Sequence, residues 1–130
     1  MISYDITRRR QEEIPLTSRC EACSFINELK AALEDDIIVR LDKRPENLQT
    51  LADLGLWASD ISDVLKKLSE SDYCEGPLDD GKGRPIHWWV FGPVVLDCCV
   101  YTKVALHSGK VICRSFHRAR WPMKYPLKPE

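Results

Sequence analysis

The residue types able to do chemistry crowd into the end of this chain. Residues 101–130 hold seven Lys or Arg against a single acid, Glu130. A strand-like run, Val100-Tyr101-Thr102-Lys103-Val104-Ala105-Leu106, meets the turn residues His107-Ser108-Gly109-Lys110. A second run, Val111-Ile112-Cys113-Arg114-Ser115-Phe116-His117, leads into Arg118, Arg120 and Lys124. Such a hairpin gathers a histidine, a tyrosine and several cations at one sheet end, the groups that cleaving RNA without a metal requires. Attack of a ribose 2′-oxygen on the adjacent phosphate needs a base, an acid for the leaving 5′-oxygen, and positive charge on the phosphorane. Histidine is the side chain that exchanges protons near neutral pH, so His117 is the candidate acid. Tyr101 is the group to position the phosphate or move a proton, and Lys103 supplies charge. Arg118, Arg120 and Lys124 are candidate RNA contacts. Trp88 and Trp89 face opposite ways on a strand, so one of them at most can stack a base of single-stranded RNA; Trp89 is the candidate.

Whether these groups meet depends on parity. Alternation along the first strand puts Leu96, Cys98, Val100, Thr102, Val104 and Leu106 on a core face, and Tyr101 and Lys103 on the other. An odd loop, His107-Ser108-Gly109, places Ser115 and His117 beside Tyr101 and Lys103, with Ile112 and Phe116 in the core. A two-residue Ser108-Gly109 loop sends His117 into the core instead. The odd loop is the expectation, because Ile112 and Phe116 are better core residues. It leaves Arg114 on the core face near a sheet edge.

The elements that must hold the hairpin are legible upstream. Ala22, Ile26, Leu29 and Leu33 share one face of a helix over 21–33. A short strand is expected over 37–41. Pro45 suits a helix start and Gly55 its stop, with Leu48, Leu51 and Ala52 on the apolar face. Ser59 or Asp60 caps a third helix that carries Ile61, Val64, Leu65 and Leu68. Asp79-Asp80-Gly81-Lys82-Gly83 reads as a loop without the ending of a phosphate loop. Strands follow over 86–91 and 96–106, with a turn at Gly92-Pro93. The prolines after Trp121 exclude a regular helix. Helices first and antiparallel strands second indicate an α+β fold, three helices on an antiparallel sheet of three or more strands.

The chain has 130 residues, 44% of them hydrophobic and 30% charged. That suits one globular domain over 15–130 with a peripheral arm at 1–14. The net charge of −1 hides an asymmetry: residues 1–50 carry ten acids and eight bases, residues 51–100 nine acids and four bases, and residues 101–130 are strongly basic. No apolar run reaches a membrane span and the N-terminus has no apolar signal segment, so a cytoplasmic protein without membrane contact is expected. Six cysteines stand at 20, 23, 74, 98, 99 and 113; reduced thiols are expected in that compartment. Cys20-Glu21-Ala22-Cys23 is half a zinc site with no second half, so neither metal nor cofactor is expected.

Leu68-Ser69-Glu70-Ser71-Asp72-Tyr73, Trp88, the Phe91-Gly92-Pro93 turn, Val100-Tyr101-Thr102-Lys103 and Ser115-Phe116-His117 together resemble the MqsR toxins, bacterial type II toxins related in fold to the RelE ribonucleases. The resemblance runs from about Leu48 to the C-terminus. It implies a RelE-like fold and a metal-independent endoribonuclease that cuts mRNA and is held inactive by a cognate antitoxin. The family's catalytic tyrosine falls on Tyr101, its strand lysine on Lys103 and its late cation on His117. Two positions depart from the pattern. The family's lysine after the Asp-aromatic pair falls on Glu75, and its glutamine after the strand tryptophan falls on Trp89. These departures bear on cleavage specificity and on which groups act as acid and base. They also keep open a non-catalytic RNA- or protein-binding module, an inactive relative of the toxins.

Overall fold

A computed structural model describes residues 16–35 and 39–129. The expected arm at 1–14, and Ile37 and Ile38 of the expected first strand, lie outside the described residues.

Among the described residues the α-helices are α1 (Leu16–Glu34), α2 (Pro45–Leu54) and α3 (Asp60–Lys66). Six strands are β1 (Arg40–Leu41), β2 (Tyr73–Asp79), β3 (His87–Phe91), β4 (Val94–Val95), β5 (Cys98–His107) and β6 (Lys110–Arg118). The sheet runs β1-β6-β5-β3-β2, with β4 paired to β5. Every pairing is antiparallel except that of β1 with β6, so the α+β class holds and the sheet is mixed.

One core joins the helices to one face of the sheet. Ala22, Phe25, Ile26, Leu29 and Leu33 of α1 pack with Leu51, with Ile61 and Leu65 of α3, and with Leu68. Against them stand Trp89, Phe91, Val100, Val104, Val111, Cys113 and Phe116. Leu29, Ile61 and Leu65 have at most 1% of their surface exposed, and burying each of them contributes about 1.5–3 kcal/mol. Gly55 closes α2 in the left-handed conformation, φ 69°, with its N–H on Ala52 O and Leu51 O. Asp60 Oδ2 accepts the Trp57 N–H at 2.8 Å at the start of α3.

α2 buries a different face from the one its apolar residues predict. Asn47, Thr50 and Leu51 are buried, whereas Leu48 is 45% exposed and Ala52 is exposed. The reason is the edge of β6. Strand β1 covers it only at Ile112 and Cys113. Beyond that, α2 completes the ladder with side chains: Asn47 Oδ1 accepts the Phe116 N–H at 2.9 Å and Thr50 Oγ1 accepts the Arg118 N–H at 3.2 Å. Asn47 Nδ2 donates to Asp42 O at 2.8 Å and Arg114 O at 3.1 Å. Buried backbone groups must be paired, and this need outweighs the burial of one more leucine.

The hairpin differs from expectation in its turn and agrees in its outcome. His107 pairs with Lys110, so Ser108-Gly109 is a two-residue loop with φ 52° and 74°, the positive-φ pair of a tight hairpin. Parity is reversed further along. The register shifts between Lys103 and Val104: Val104 pairs with Cys113 and Lys103 with Ser115, which leaves Arg114 as the extra residue of a β-bulge. Val111 and Cys113 therefore enter the main core on one side of the bulge and Phe116 on the other. Ile112, expected in that core, instead packs with Ile86, Trp88 and Ala105 on the opposite face of the sheet.

The expected strand over 96–106 begins two residues late, at Cys98. Leu96 and Asp97, at φ 50° and 65°, form a second tight turn between Val95 and Cys98. A leucine in that conformation costs about 1–2 kcal/mol. Strand β2, which sequence reasoning missed, is an end strand of the sheet among the described residues, broken by two register shifts.

Candidate functional site

The sheet face away from the helices carries the candidate site. Tyr101 pairs with His117 and Lys103 with Ser115, so all four share that face. The Tyr101 and His117 rings stack, with centroids 5.2 Å apart and planes at 13°. His117 Nδ1 lies 2.9 Å from the Arg118 carbonyl oxygen. A carbonyl only accepts, so Nδ1 carries a proton and Nε2 is the nitrogen left to exchange one. The backbone amides on either side of His117 are those held by Asn47 and Thr50. The imidazole is thus set by its own carbonyl partner, by its stack and by a pinned strand. His117 is only 8% exposed, so it is a packed residue of this face and not an open one.

Tyr101 borders a cavity of about 300 Å³, lined also by Cys74, Glu75, Val90 and the tail residues from Trp121 to Lys124. Glu75 pairs with Val90, and Val90 with Lys103, which brings this carboxylate onto the same face. Burial, then the charges of Glu75 and Cys74, push the Tyr101 hydroxyl above its usual pKa, so it is a hydrogen-bond donor at neutral pH. Burial, then the neighbouring Arg114, lower the Lys103 ammonium below its usual range. The tail is fixed across this region. Ala119 N donates to Cys99 O at 2.9 Å, the Tyr125 hydroxyl donates to Gly92 O at 2.7 Å, and Leu127 is buried in the core.

The remaining sequence candidates divide. Lys124 lines the cavity. Arg118 is turned to α2, with Nη1 3.7 Å from Asp53, and Arg120 Nη2 lies 3.2 Å from Glu46 Oε2. Both arginines are more than half exposed, so these pairs are weak and exchange readily with a stronger anion. Trp89 is on the helix side of the sheet, 7% exposed and stacked on Phe25 at 4.8 Å. It stands on the face opposite Tyr101 and His117, so it cannot stack a base held beside them, and its assignment as a stacking platform for that site is corrected. Its neighbour Trp88 is on the site face but 2% exposed.

Two residues of this face were missed from sequence. Trp121, 58% exposed, meets the Tyr101 ring edge-on at 6.2 Å. Its position between a basic pair and Pro122 was the available signal for an exposed aromatic. Asp80, in the segment read as a plain loop, is buried. It accepts from Arg84 at 2.9 and 3.0 Å and from Trp88 Nε1 at 3.1 Å, and these donors hold its carboxyl well below the usual range. Nothing in the local pattern marks which of Asp79 and Asp80 turns inward.

Among the described residues no group of three or more His, Cys, Asp or Glu is arranged to hold an ion. Cys23 Sγ donates to Glu70 at 2.8 Å, and the six cysteines are free thiols. Burial pushes Cys74 and Cys113 up to about 12, which makes both poor nucleophiles. No helix among the described residues is long and apolar enough to cross a membrane. No protein-family model matches this chain, and no curated protein matches it.

Proposed function

We propose that this protein is a metal-independent endoribonuclease of the MqsR kind, the toxin of a type II toxin–antitoxin pair, which cuts single-stranded mRNA in the cytoplasm until a cognate antitoxin binds it. The observation that carries this reading is the stack of His117 on Tyr101, with Lys103 on the same face, where Tyr101 borders a cavity of about 300 Å³. In this reading His117 gives the Nε2 proton to the leaving 5′-oxygen. The Tyr101 hydroxyl donates to a non-bridging phosphate oxygen, and Lys103 balances the charge of the phosphorane. Glu75, the carboxylate on the cavity wall, takes the proton of the 2′-hydroxyl. That role turns the departure from the family's lysine into a change of base. Trp121, in place of Trp89, stacks the base of the bound nucleotide.

Purified protein is expected to cut single-stranded RNA in EDTA, and its induced expression to arrest growth. Glu75→Gln is expected to slow the cut with the fold intact. An absolute requirement for added divalent metal would contradict the mechanism. Lys103→Ala is expected to weaken RNA binding and to lower its salt dependence by about one charge, read from log K against log salt.

A second reading, a non-catalytic RNA- or protein-binding module, draws on the burial of Trp89 and on the pairing of Arg118 and Arg120 with α2. Binding of RNA with no cut on free or ribosome-bound substrate selects it.

A further inference from the structure

Further along the same face, past Lys103, lies a second cavity that the reaction above does not use. It measures about 200 Å³, and its walls include Arg40, Lys82, Arg84 and Arg114, with Asp42 as the one acid among its lining residues. The β-bulge is what places Arg114 there. As the extra residue of β6 it leaves the core face expected for it and lies over the Trp88 ring, 4.9 Å from the centroid. Its guanidinium is 3.7 Å from buried Asp80, which Arg84 also binds. Even with Asp42 and Asp80 both counted, cations outnumber carboxylates around this space. The Arg114 Nε is buried and has no hydrogen-bond partner; the Asp42 carboxylate, 4.0 Å away, is beyond hydrogen-bonding reach. A buried donor of this kind is costly to leave unpaired, and an anion entering the cavity would supply the acceptor.

We infer that this cavity is a phosphate subsite, built by Arg40, Lys82, Arg84 and Arg114, that holds a backbone phosphate of bound single-stranded RNA at a nucleotide next to the one being cut. The substrate class rests on the endoribonuclease reading; the anion site rests on the residues alone. Arg114 and His117 are three positions apart on β6, roughly 10 Å along a strand, so one extended nucleic-acid chain can reach both. Arginine forks bind phosphate oxygens in pairs, and a partly enclosed cavity strengthens that contact over one made in open water. Lys103, lying between the two cavities, continues the positive track.

The test uses the full chain and a fully 2′-deoxy single-stranded oligonucleotide, which binds and is not cut. Its affinity is measured by fluorescence anisotropy across a series of salt concentrations, for the native protein and for Arg40→Ala/Lys82→Ala. Arg40 and Lys82 are exposed, so the variant is expected to keep its melting temperature. The slope of log K against log salt is expected to fall by about 0.7, the share of one phosphate on a single strand, with binding weakened alike for different sequences. In parallel, inorganic phosphate is titrated into the native protein while the Trp88 indole N–H is followed by NMR, since that proton is bonded to Asp80. A saturable shift is expected. An unchanged slope overturns the subsite, whether or not the native protein cleaves RNA. A shifted Trp88 signal with an unchanged slope means an anion pocket unrelated to RNA and also overturns the inference. A lowered slope in a protein that never cleaves RNA upholds the subsite and removes the endoribonuclease reading.

Discussion

His117→Ala is expected to slow RNA cleavage by roughly 10²–10⁴-fold, the range for a positioned acid or base. The expectation comes from the fixed ring. With Nδ1 committed to the Arg118 carbonyl, Nε2 alone can serve the leaving oxygen, and no other imidazole lies on this pair of strand positions. The same substitution removes a buried ring from its stack on Tyr101, so the melting temperature also falls, the stack contributing about 0.5–1.5 kcal/mol beyond the burial that is lost with the ring. Tyr101→Phe separates the two effects. It keeps the ring and the stack and removes only the hydroxyl, so cleavage falls while the melting temperature holds. Rate and melting temperature are read on one preparation. Unchanged cleavage in folded His117→Ala and Tyr101→Phe would sink the proposed site.

Asn47→Ala is expected to cost about 2–4 kcal/mol, because it strips partners from the buried Phe116 N–H and the Arg114 carbonyl together. For a chain of this size that is roughly 10 °C in melting temperature. Leu48→Ala, one position along and 45% exposed, is expected to change stability by less than about 0.5 kcal/mol. Sequence patterning predicts the opposite order, because it counts Leu48 as core and Asn47 as surface. Chemical denaturation of the two variants decides between the pattern and the observed hydrogen bonds. Equal, small losses would show that α2 does not complete the β6 edge.

These cases show what was readable in the chain. Elements marked by local stereochemistry were legible: Pro45 and Gly55 bound α2 because a proline needs no N–H partner at a helix start and a glycine takes φ 69° at its end. The apolar face of α3 was legible for the same kind of reason, Ile61 and Leu65 being buried as their spacing requires, although the helix ends at Lys66, before Leu68. What escaped depends on partners distant in sequence. The rotation of α2 is set by two amides some seventy residues away in β6. Strand β2 carries Glu75, Gly76 and Pro77, which local propensity rejects; its pairing with β3 decides the matter. The turn at Leu96-Asp97 contains no glycine to announce it.

The candidate site was legible in part for a reason that compensates an error. Tyr101, Lys103 and His117 do share a face, but through the bulge at Arg114 and not through an odd loop. A bulge has no reliable signature in one sequence, since the extra residue looks like any other. Its cost was visible in advance as an arginine assigned to the core. Trp88 and Trp89 were correctly held to opposite faces by alternation, but alternation does not say which face the helices cover. Phe25 of α1 answers that by stacking on Trp89.

The most direct measurement is the chemistry of the ends left after the native protein cuts a single-stranded RNA in EDTA. Attack by the 2′-oxygen, with Nε2 of His117 protonating the leaving group, predicts fragments ending in a 2′,3′-cyclic phosphate and beginning with a 5′-hydroxyl, and no cut at a position carrying a 2′-deoxyribose. Fragments bearing 5′-phosphates, or a cut that proceeds equally at the 2′-deoxy position, would contradict the account.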